Sequence, residues 1–437
     1  MNKRLLPVAV CLLFAGGVAA AAEMRTPFES AIQRALESHP DLGIERNRVL
    51  FEKARVDEAR GAFMPSLNVF GTNQQTKAYD DFSGVGITAQ YAGVAIPVTV
   101  LKNTPRYQAN YGIELSYNLY SGGAHQARVT EMSAAEQAAL AGQDVVRKAV
   151  ILEVTRSYWG LSKAQIALRV AGRNLDYAQE QLNVARTQFE QGQIAKIDFD
   201  AKNIQLETLN IELRSAQRAL QEQQRRYAAV LGVDAGKEAQ PVEEKAVDID
   251  QLPAHFGLMK QPEMQKVQAD FMAAQQHIKQ TDAEYLPVLD FYLRNTYVGR
   301  SGSDIGMAQS NMLRDATSIG VHFKWNLFDG YRSDSRTAQA VAASEQLRLQ
   351  ADKVQRDLYI SQQESQAREE EAGDQLRLAG RQLEFAKSQL AVAQKRLENR
   401  QLSTLEFHAV QLAAANAESR VDSLKIDLLI QQIKSRL

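Results

Sequence analysis

Apolar and polar residues alternate without interruption in two segments of this chain, residues 111–119 and 319–327. Shorter alternating segments follow Pro65 and Pro287. A period of two predicts a β-strand with two different faces, so the sequence predicts four strands in two pairs. One face carries aliphatic and aromatic side chains and the other carries Glu, His or Lys, which is typical of a strand between lipid and a polar lumen. The strands alone fit an ordinary sheet over a soluble core equally well.

A helical pattern follows each strand pair. Residues 123–191 and 331–399 contain no proline, and at 1.5 Å per residue such a helix would extend about 100 Å. Large apolar residues and alanine alternate at spacings of three and four, which predicts a coiled-coil seam. Gly192 ends the first helix and a return helix follows in each half, so we expect two antiparallel hairpins with polar outer faces in water. The two seams comprise Leu168, Ala171, Leu175, Ala178, Leu182, Ala185 and Phe189 in the first half, and Leu376, Ala379, Leu383, Ala386, Leu390, Ala393 and Leu397 in the second.

Two further helices are expected near the start of the chain. Thr26, Pro27 and Glu29 match a capping box with proline at the first helical position. A break is expected at His39, because the residue before a proline is pushed out of helical geometry. The next helix should cover about residues 41–63.

The chain is an internal duplication. Pro40 recurs as Pro262, 222 positions later, and Asn118 recurs as Asn326, 208 positions later. Fixed shifts of this kind indicate repeated structural units, and length differences between repeats usually mark loops. The predicted organisation is a signal peptide (1–22), a first repeat of helices, strand pair and long helical hairpin (23–240), and a second repeat of connector, helix, strand pair and long hairpin (241–437).

Composition narrows the function classes. Lys3 and Arg4 precede an apolar run and a group of small residues, the pattern of a secretory signal peptide. The only cysteine, Cys11, lies within it, so the processed chain would have neither disulfides nor thiol chemistry. With 51 basic and 52 acidic residues, nothing indicates nucleic-acid binding. The six histidines lack metal-ligand spacing, and no nucleophile motif or phosphate-binding loop is present, so we expect no enzyme, metal or cofactor.

Four strands per chain have a consequence for assembly. No later stretch approaches the roughly 20 apolar residues of a spanning helix, so a membrane crossing would have to use strands. An open four-stranded sheet would expose unpaired backbone groups to hydrocarbon, and it must close with other copies. Two chains give eight strands and little interior space, whereas three give twelve strands and a lumen. The long hairpins would extend that pore by about 100 Å.

At this point the residues resemble a known family. The segments 117–123 (YNLYSGG), 325–330 (WNLFDG) and 189–199 (FEQGQIAKIDF) are similar to signatures of the TolC-like outer membrane efflux and secretion channels. The resemblance covers essentially the whole chain after the signal peptide. It implies a mainly α-helical homotrimer with a 12-stranded outer membrane β-barrel, continued by a periplasmic α-helical barrel. It also implies outer membrane lipid, a periplasmic adaptor and an inner membrane ABC or RND-type transporter as partners.

The same resemblance implies where the periplasmic aperture lies. Asp198 and Glu406 match the acidic position after the hairpin turn, where carboxylates would line the closed tip. The alternative is that both are solvated charges without a gating role, since acidic residues are favoured at a helix start by the helix dipole. Arg400 replaces the turn glycine, and Ala409 stands where many relatives have a second aspartate. The aperture candidates are Asp198, Glu406, Lys196, Arg396, Arg400 and His408, with the cations as ion-pair partners or exposed charges. The adaptor-contact candidates are Gln191, Gly192, Gln193, Ile194, Asn399, Arg400, Gln401 and Leu402.

Two other function classes share some of these features. A periplasmic adaptor also has a long helical hairpin, but normally one, between small β-domains. A structural coiled-coil stalk would not need alternating strands in both halves. The channel interpretation explains both the two hairpins and the alternating strands. In it, the loops at about residues 74–108 and 299–315 face the cell exterior. The cargo, whether drug, metal or type I secreted protein, leaves no separate signature.

Overall fold

The computed structural model describes residues 27–81, 88–91, 94–97, 101–232, 261–312 and 314–437. The expected signal peptide, the Thr26 cap and the connector at about residues 233–253 lie outside these ranges. In chain order the elements are α1 (Pro27–Ser38), α2 (Pro40–Gly61), β1 (Ser66–Asp81), β2 (Thr88–Tyr91), β3 (Val94–Pro97), β4 (Leu101–Tyr120), α3 (Ala124–Glu190), α4 (Lys196–Val230), α5 (Pro262–Asp282), β5 (Val288–Ser301), α6 (Ile305–Ser310), β6 (Arg314–Lys324), α7 (Arg332–Glu398) and α8 (Thr404–Arg436).

The helix boundaries follow the sequence signals. α1 starts at Pro27 and ends before His39, and α2 starts at Pro40, as the two prolines predict. α3 and α7 each have 67 residues, so each would be about 100 Å long at 1.5 Å per residue. Among the described residues, no helix has both the length and the apolar composition needed to cross a membrane.

The four predicted strands form one antiparallel sheet in the order β1-β4-β5-β6. The pairing of β4 with β5 joins strands of the two halves, with Leu115 opposite Leu293. A separate two-stranded sheet, β2 with β3, has no equivalent in the sequence prediction.

Three expectations about the strands are wrong. β6 ends at Lys324 rather than at Leu327, so the alternation continues beyond the last paired residue. The loop expected at residues 74–108 is mostly strand, because β1 continues to Asp81 and β4 starts at Leu101. The loop expected at 299–315 includes the end of β5, the helix α6 and the start of β6. β1 and β4 have 16 and 20 residues while β5 and β6 have 14 and 11, so the longer first repeat has longer strands and not only a longer loop.

The chain divides into two compact units, and each includes segments of both repeats. The first unit (1–43, 146–258 and 361–437) has an aromatic core. Phe28 of α1 packs against Tyr158 and Trp159 of α3 with ring centroids 5.2 and 5.7 Å apart, and Tyr158 contacts Tyr227 of α4. Phe28 is fully buried, and burial of such a side chain contributes about 1.5–3 kcal/mol.

The predicted coiled-coil seams are present in the same unit. Ala178, Leu182 and Ala185 of α3 are buried, as are Ala379 and Ala393 of α7. Small residues alternating with leucine allow the paired helices to approach closely. The hairpin of the second repeat thus repeats the packing of the first.

The second unit (44–145 and 259–360) contains the four-stranded sheet. Val56 and Ala59 of α2 pack against Met132 of α3 in a small apolar cluster. Most of the large apolar side chains of the sheet lie outside such clusters.

Candidate functional site

The turn of the first hairpin is a complete helix C-cap. Gly192 has φ +71°, a left-handed conformation that glycine adopts without steric cost. Its N–H donates to Phe189 O at 2.9 Å, and Gln193 N–H donates to Gln188 O at 2.8 Å. These two bonds form a Schellman motif that satisfies the last carbonyl groups of α3.

The second hairpin makes the same turn without glycine. Arg400 has φ +58°, and its N–H donates to Leu397 O at 2.9 Å while Gln401 N–H donates to Arg396 O at 2.8 Å. A left-handed residue with a β-carbon costs about 1–2 kcal/mol relative to the right-handed region. The replacement of glycine by Arg400 therefore leaves the backbone motif intact and adds strain to it.

The return helices begin differently. α8 starts with a capping box in which Ser403 Oγ accepts from Glu406 N–H at 3.2 Å and Glu406 Oε2 accepts from Ser403 N–H at 3.0 Å. These hydrogen bonds, led by the one from the Ser403 hydroxyl, lower the pKa of Glu406. The N-cap residue of α4 is Ala195, which offers no capping side chain. Ser403 is a site residue with a sequence signal, since Ser403 and Glu406 match the S-x-x-E pattern.

The acidic aperture candidates are thus in two different states. Both are exposed, but Glu406 is hydrogen-bonded to Ser403 at the start of its own helix, whereas the start of α4, where Asp198 has the equivalent position, has no capping side chain. Among the described residues, neither carboxylate forms an ion pair with Lys196, Arg396 or Arg400 within one chain. His408 lies 2.7 Å from Glu180 of α3, a contact between residues 228 positions apart that has no local sequence signal.

The adaptor-contact candidates surround both turns. Six of them are exposed and two, Ile194 and Leu402, are half-buried. Leu402 and Arg396 also line a groove of about 430 Å³ between α7 and α8, next to Phe385 and Val392. The turns therefore offer exposed polar groups beside a partly apolar groove.

The polar face of the sheet is a second candidate site. Glu114 of β4 forms an ion pair with Arg294, which lies opposite it on β5. Asn118 Nδ2 donates to Asp290 Oδ1 at 2.8 Å, also between β4 and β5. These four side chains line a cavity of about 820 Å³, together with His322 of β6. Cross-strand polar pairs of this kind make one face of the sheet hydrophilic.

The opposite face of the sheet is apolar and uncovered. Leu67, Leu115, Leu293 and Ile319 lie opposite one another in a row that crosses all four strands. Val69 is 80% exposed and Ile319 is 70% exposed. An uncovered apolar patch marks a surface for contact with lipid or protein. None of these four side chains belongs to a buried apolar cluster of the described residues.

No group of three or more potential metal ligands occurs within the described ranges. The two candidate sites, the hairpin turns and the sheet, offer charged side chains beside apolar surfaces.

Comparison with known proteins identifies the arrangement. The model of the family described as "Outer membrane efflux protein" matches residues 31–233 and 258–434, one segment in each repeat. No curated protein matches the sequence significantly.

Solved structures with the same fold have little sequence in common with this chain. The Campylobacter jejuni CmeC outer membrane channel aligns with 13% identity and a TM-score of 0.71, over 100% of this chain and 94% of that one. The outer membrane protein VceC from Vibrio cholerae aligns with 15% identity and a TM-score of 0.68, over 93% and 96%. The open-state Neisseria gonorrhoeae MtrE outer membrane channel aligns with 14% identity and a TM-score of 0.67, over 94% and 87%.

Proposed function

This chain belongs to the outer membrane efflux protein family, and we propose that three copies form a channel through the outer membrane. The channel is the exit duct of a tripartite efflux or type I secretion system. It carries cargo without catalysing a reaction, and its helical hairpins form a barrel in the periplasm.

The observation that carries the proposal is the uncovered apolar face of the sheet. Leu67 and Ile319 at its two edges are each more than 60% exposed, while Glu114 and Arg294 pair on the other face. A soluble sheet would leave this apolar row in water, at a cost of about 25 cal/mol for each Å². Lipid on one side and a water-filled lumen on the other satisfy both faces.

The open edges of the sheet support assembly from several copies. β1 and β6 are edge strands with one unpaired side each, and unpaired backbone groups are not tolerated in hydrocarbon. Pairing β1 of one copy with β6 of the next closes the sheet. Three copies give twelve strands, enough for a lumen.

The hairpin turns are the proposed periplasmic aperture and the place where an adaptor binds. Asp198 is exposed and offers a carboxylate from each copy. Three such charges around a narrow axis would favour cations and repel one another. Glu406 contributes less to gating in this proposal, because its carboxylate is already bound by Ser403. Opening is driven by the adaptor and the inner membrane ABC or RND-type transporter.

A pair of substitutions in β6 tests the proposal. Ile319→Lys places a charge on the lipid-facing side, where it costs about 2–4 kcal/mol near the bilayer midplane. Ala316→Lys places the same charge on the polar face, where it lies opposite the neutral Thr296. We expect Ile319→Lys to reduce the amount of protein extracted from outer membranes as a trimer, and Ala316→Lys to leave it unchanged. Mass in mild detergent, corrected for bound detergent, measures both.

The alternative classes give a different result. Both side chains are exposed in the isolated sheet, so a periplasmic adaptor or a coiled-coil stalk would tolerate both lysines. Recovery of the unsubstituted protein as a water-soluble monomer would refute the channel.

A further inference from the structure

The joint between the two helical hairpins is antiparallel and has a fixed register. Lys163 Nζ lies 2.7 Å from Asp427 Oδ1, and Asn416 Nδ2 donates to Asn174 Oδ1 at 3.0 Å. Both pairs join α3 to α8. In an antiparallel pair of helices one residue number rises as the opposite one falls, so a constant sum defines the register, and in both pairs this sum is 590. α3 also contacts α4, through stacked rings of Phe189 and Phe199. α8 also contacts α7, where the two helices line a groove.

The order of contacts in this unit is therefore α4, α3, α8, α7, which leaves α4 and α7 as the outer helices. Under the 208-residue shift, α7 is the equivalent of α3 and α8 is the equivalent of α4. The α3–α8 joint thus has a counterpart, α7 with α4, and among the described residues no hydrogen bond or ion pair joins those two helices within one chain.

Both outer helices carry an uncovered apolar stripe with a spacing of seven. On α4 the stripe consists of Ile197, Ile204 and Ile211, which are 76%, 64% and 61% exposed. On α7 it consists of Leu378, Phe385 and Val392, which are 57%, 66% and 52% exposed. Spacings of seven place these side chains along one line of a helix, as at a coiled-coil seam.

The equivalent positions in the existing joint are less exposed. Ser419 of α8 corresponds to Ile211 and is 4% exposed, and Tyr177 of α3 corresponds to Phe385 and is half-buried. Val184 of α3 corresponds to Val392 and is 40% exposed against 52%. The same helical positions are therefore less exposed where a partner helix is present.

We infer that α4 of one copy packs against α7 of the next copy in the register of the α3–α8 joint. Ile197 then lies opposite Val392, Ile204 opposite Phe385, and Ile211 opposite Leu378. In each pair the residue numbers add up to 589, against 590 for the joint within the chain. This inference rests on the proposed trimer and assigns its contact surface in the periplasm.

The charges beside the two stripes are complementary. Residues 196–212 of α4 contain two basic and four acidic side chains, whereas residues 377–396 of α7 contain five basic and one acidic. The register places Arg377 opposite Glu212 and Arg381 within one residue of the position opposite Glu207. Such pairing favours this contact over α4 with α4 or α7 with α7, because like charges would then face each other.

Disulfide formation tests the register directly. In a Cys11→Ala background the chain has no other cysteine. We expect Ile204→Cys with Phe385→Cys to give covalent dimers and trimers under mild oxidation, seen on non-reducing gels. The control, Ile197→Cys with Leu378→Cys, uses the same stripes, but those positions are about 21 Å out of register along the helix axis. It should give none.

The outcomes separate this inference from the proposed function. A trimer by mass without the matched crosslink, or with equal crosslinking of the control, overturns the register and leaves the channel standing. A monomer overturns both. If the cysteine variants fail to assemble, charge reversal decides: Arg377→Glu and Glu212→Arg should each weaken the detergent-resistant trimer, and the double variant should restore it. Failure of that restoration overturns the inference.

Discussion

Ala195→Ser should stabilise the start of α4. Ala195 has φ −75° and ψ 157°, and Ser403, which caps α8, has φ −75° and ψ 155°, so the backbone is already suited to a serine cap. An N-cap serine is worth about 0.5–2 kcal/mol over alanine. Asp198 N–H already binds Ala195 O at 3.1 Å, so the hydroxyl would replace an existing bond. We therefore expect the lower half of that range, about 0.5–1 kcal/mol.

Hydrogen exchange of the assembled protein measures this gain where it occurs. A stabilisation of about 0.5–1 kcal/mol should slow exchange of the first-turn amides of α4 by about two- to fivefold. Ser403→Ala is the matched control and should speed exchange at the start of α8. If Ser403→Ala has its effect and Ala195→Ser leaves α4 unchanged, then backbone conformation does not determine capping here and the reasoning is refuted.

Three further predictions concern other parts of the molecule. Gly192→Ala should destabilise the first hairpin turn by about 1–2 kcal/mol. Arg400→Gly should stabilise the second turn by about 0.5–1 kcal/mol, after the entropy cost of glycine is subtracted. Thermal midpoints in detergent measure both, and shifts in the opposite directions would contradict this. Because the pKa of Glu406 is below its ordinary value of 4.5, its capping contribution is complete above that pH and lost as the pH falls through the lowered pKa. Amide exchange at the start of α8 should accelerate in that acid range and not above it. Glu114→Gln should leave Arg294 without its carboxylate partner and shift ion selectivity in planar bilayers toward anions, and an unchanged reversal potential would contradict this.

Local signals in the sequence were sufficient for most element boundaries. Pro27 and Pro40 mark the first residues of α1 and α2, because proline is compatible with a helix start and disfavours helix at the residue before it. The duplication was also informative about the turns. It aligned Arg400 with Gly192, and the structure gives both the same left-handed backbone.

Contacts between distant segments were beyond such signals. Glu180 and His408 meet because α3 and α8 are neighbours, and nothing near either residue in the sequence specifies this. The length of β1 and β4 was underestimated for a related reason. Their outer halves contain polar and small residues such as Asn73 and Thr76, and their strand conformation comes from pairing across the sheet, Asn73 with Ala109 and Thr76 with Arg106, rather than from local alternation.

The two hairpin turns have equal backbones and unequal side chains, which concerns symmetry. In the proposed trimer six hairpin ends would form a ring that is nearly sixfold in backbone shape. In chemistry the ring would be only threefold, because two kinds of turn alternate around it. One has glycine and leads to a return helix without a capping side chain, and the other has arginine and leads to a return helix capped by serine. A partner that recognises helix geometry would find six equivalent positions, whereas one that recognises side chains would find three. The number of adaptor subunits bound to each trimer would show which of the two properties the partner recognises.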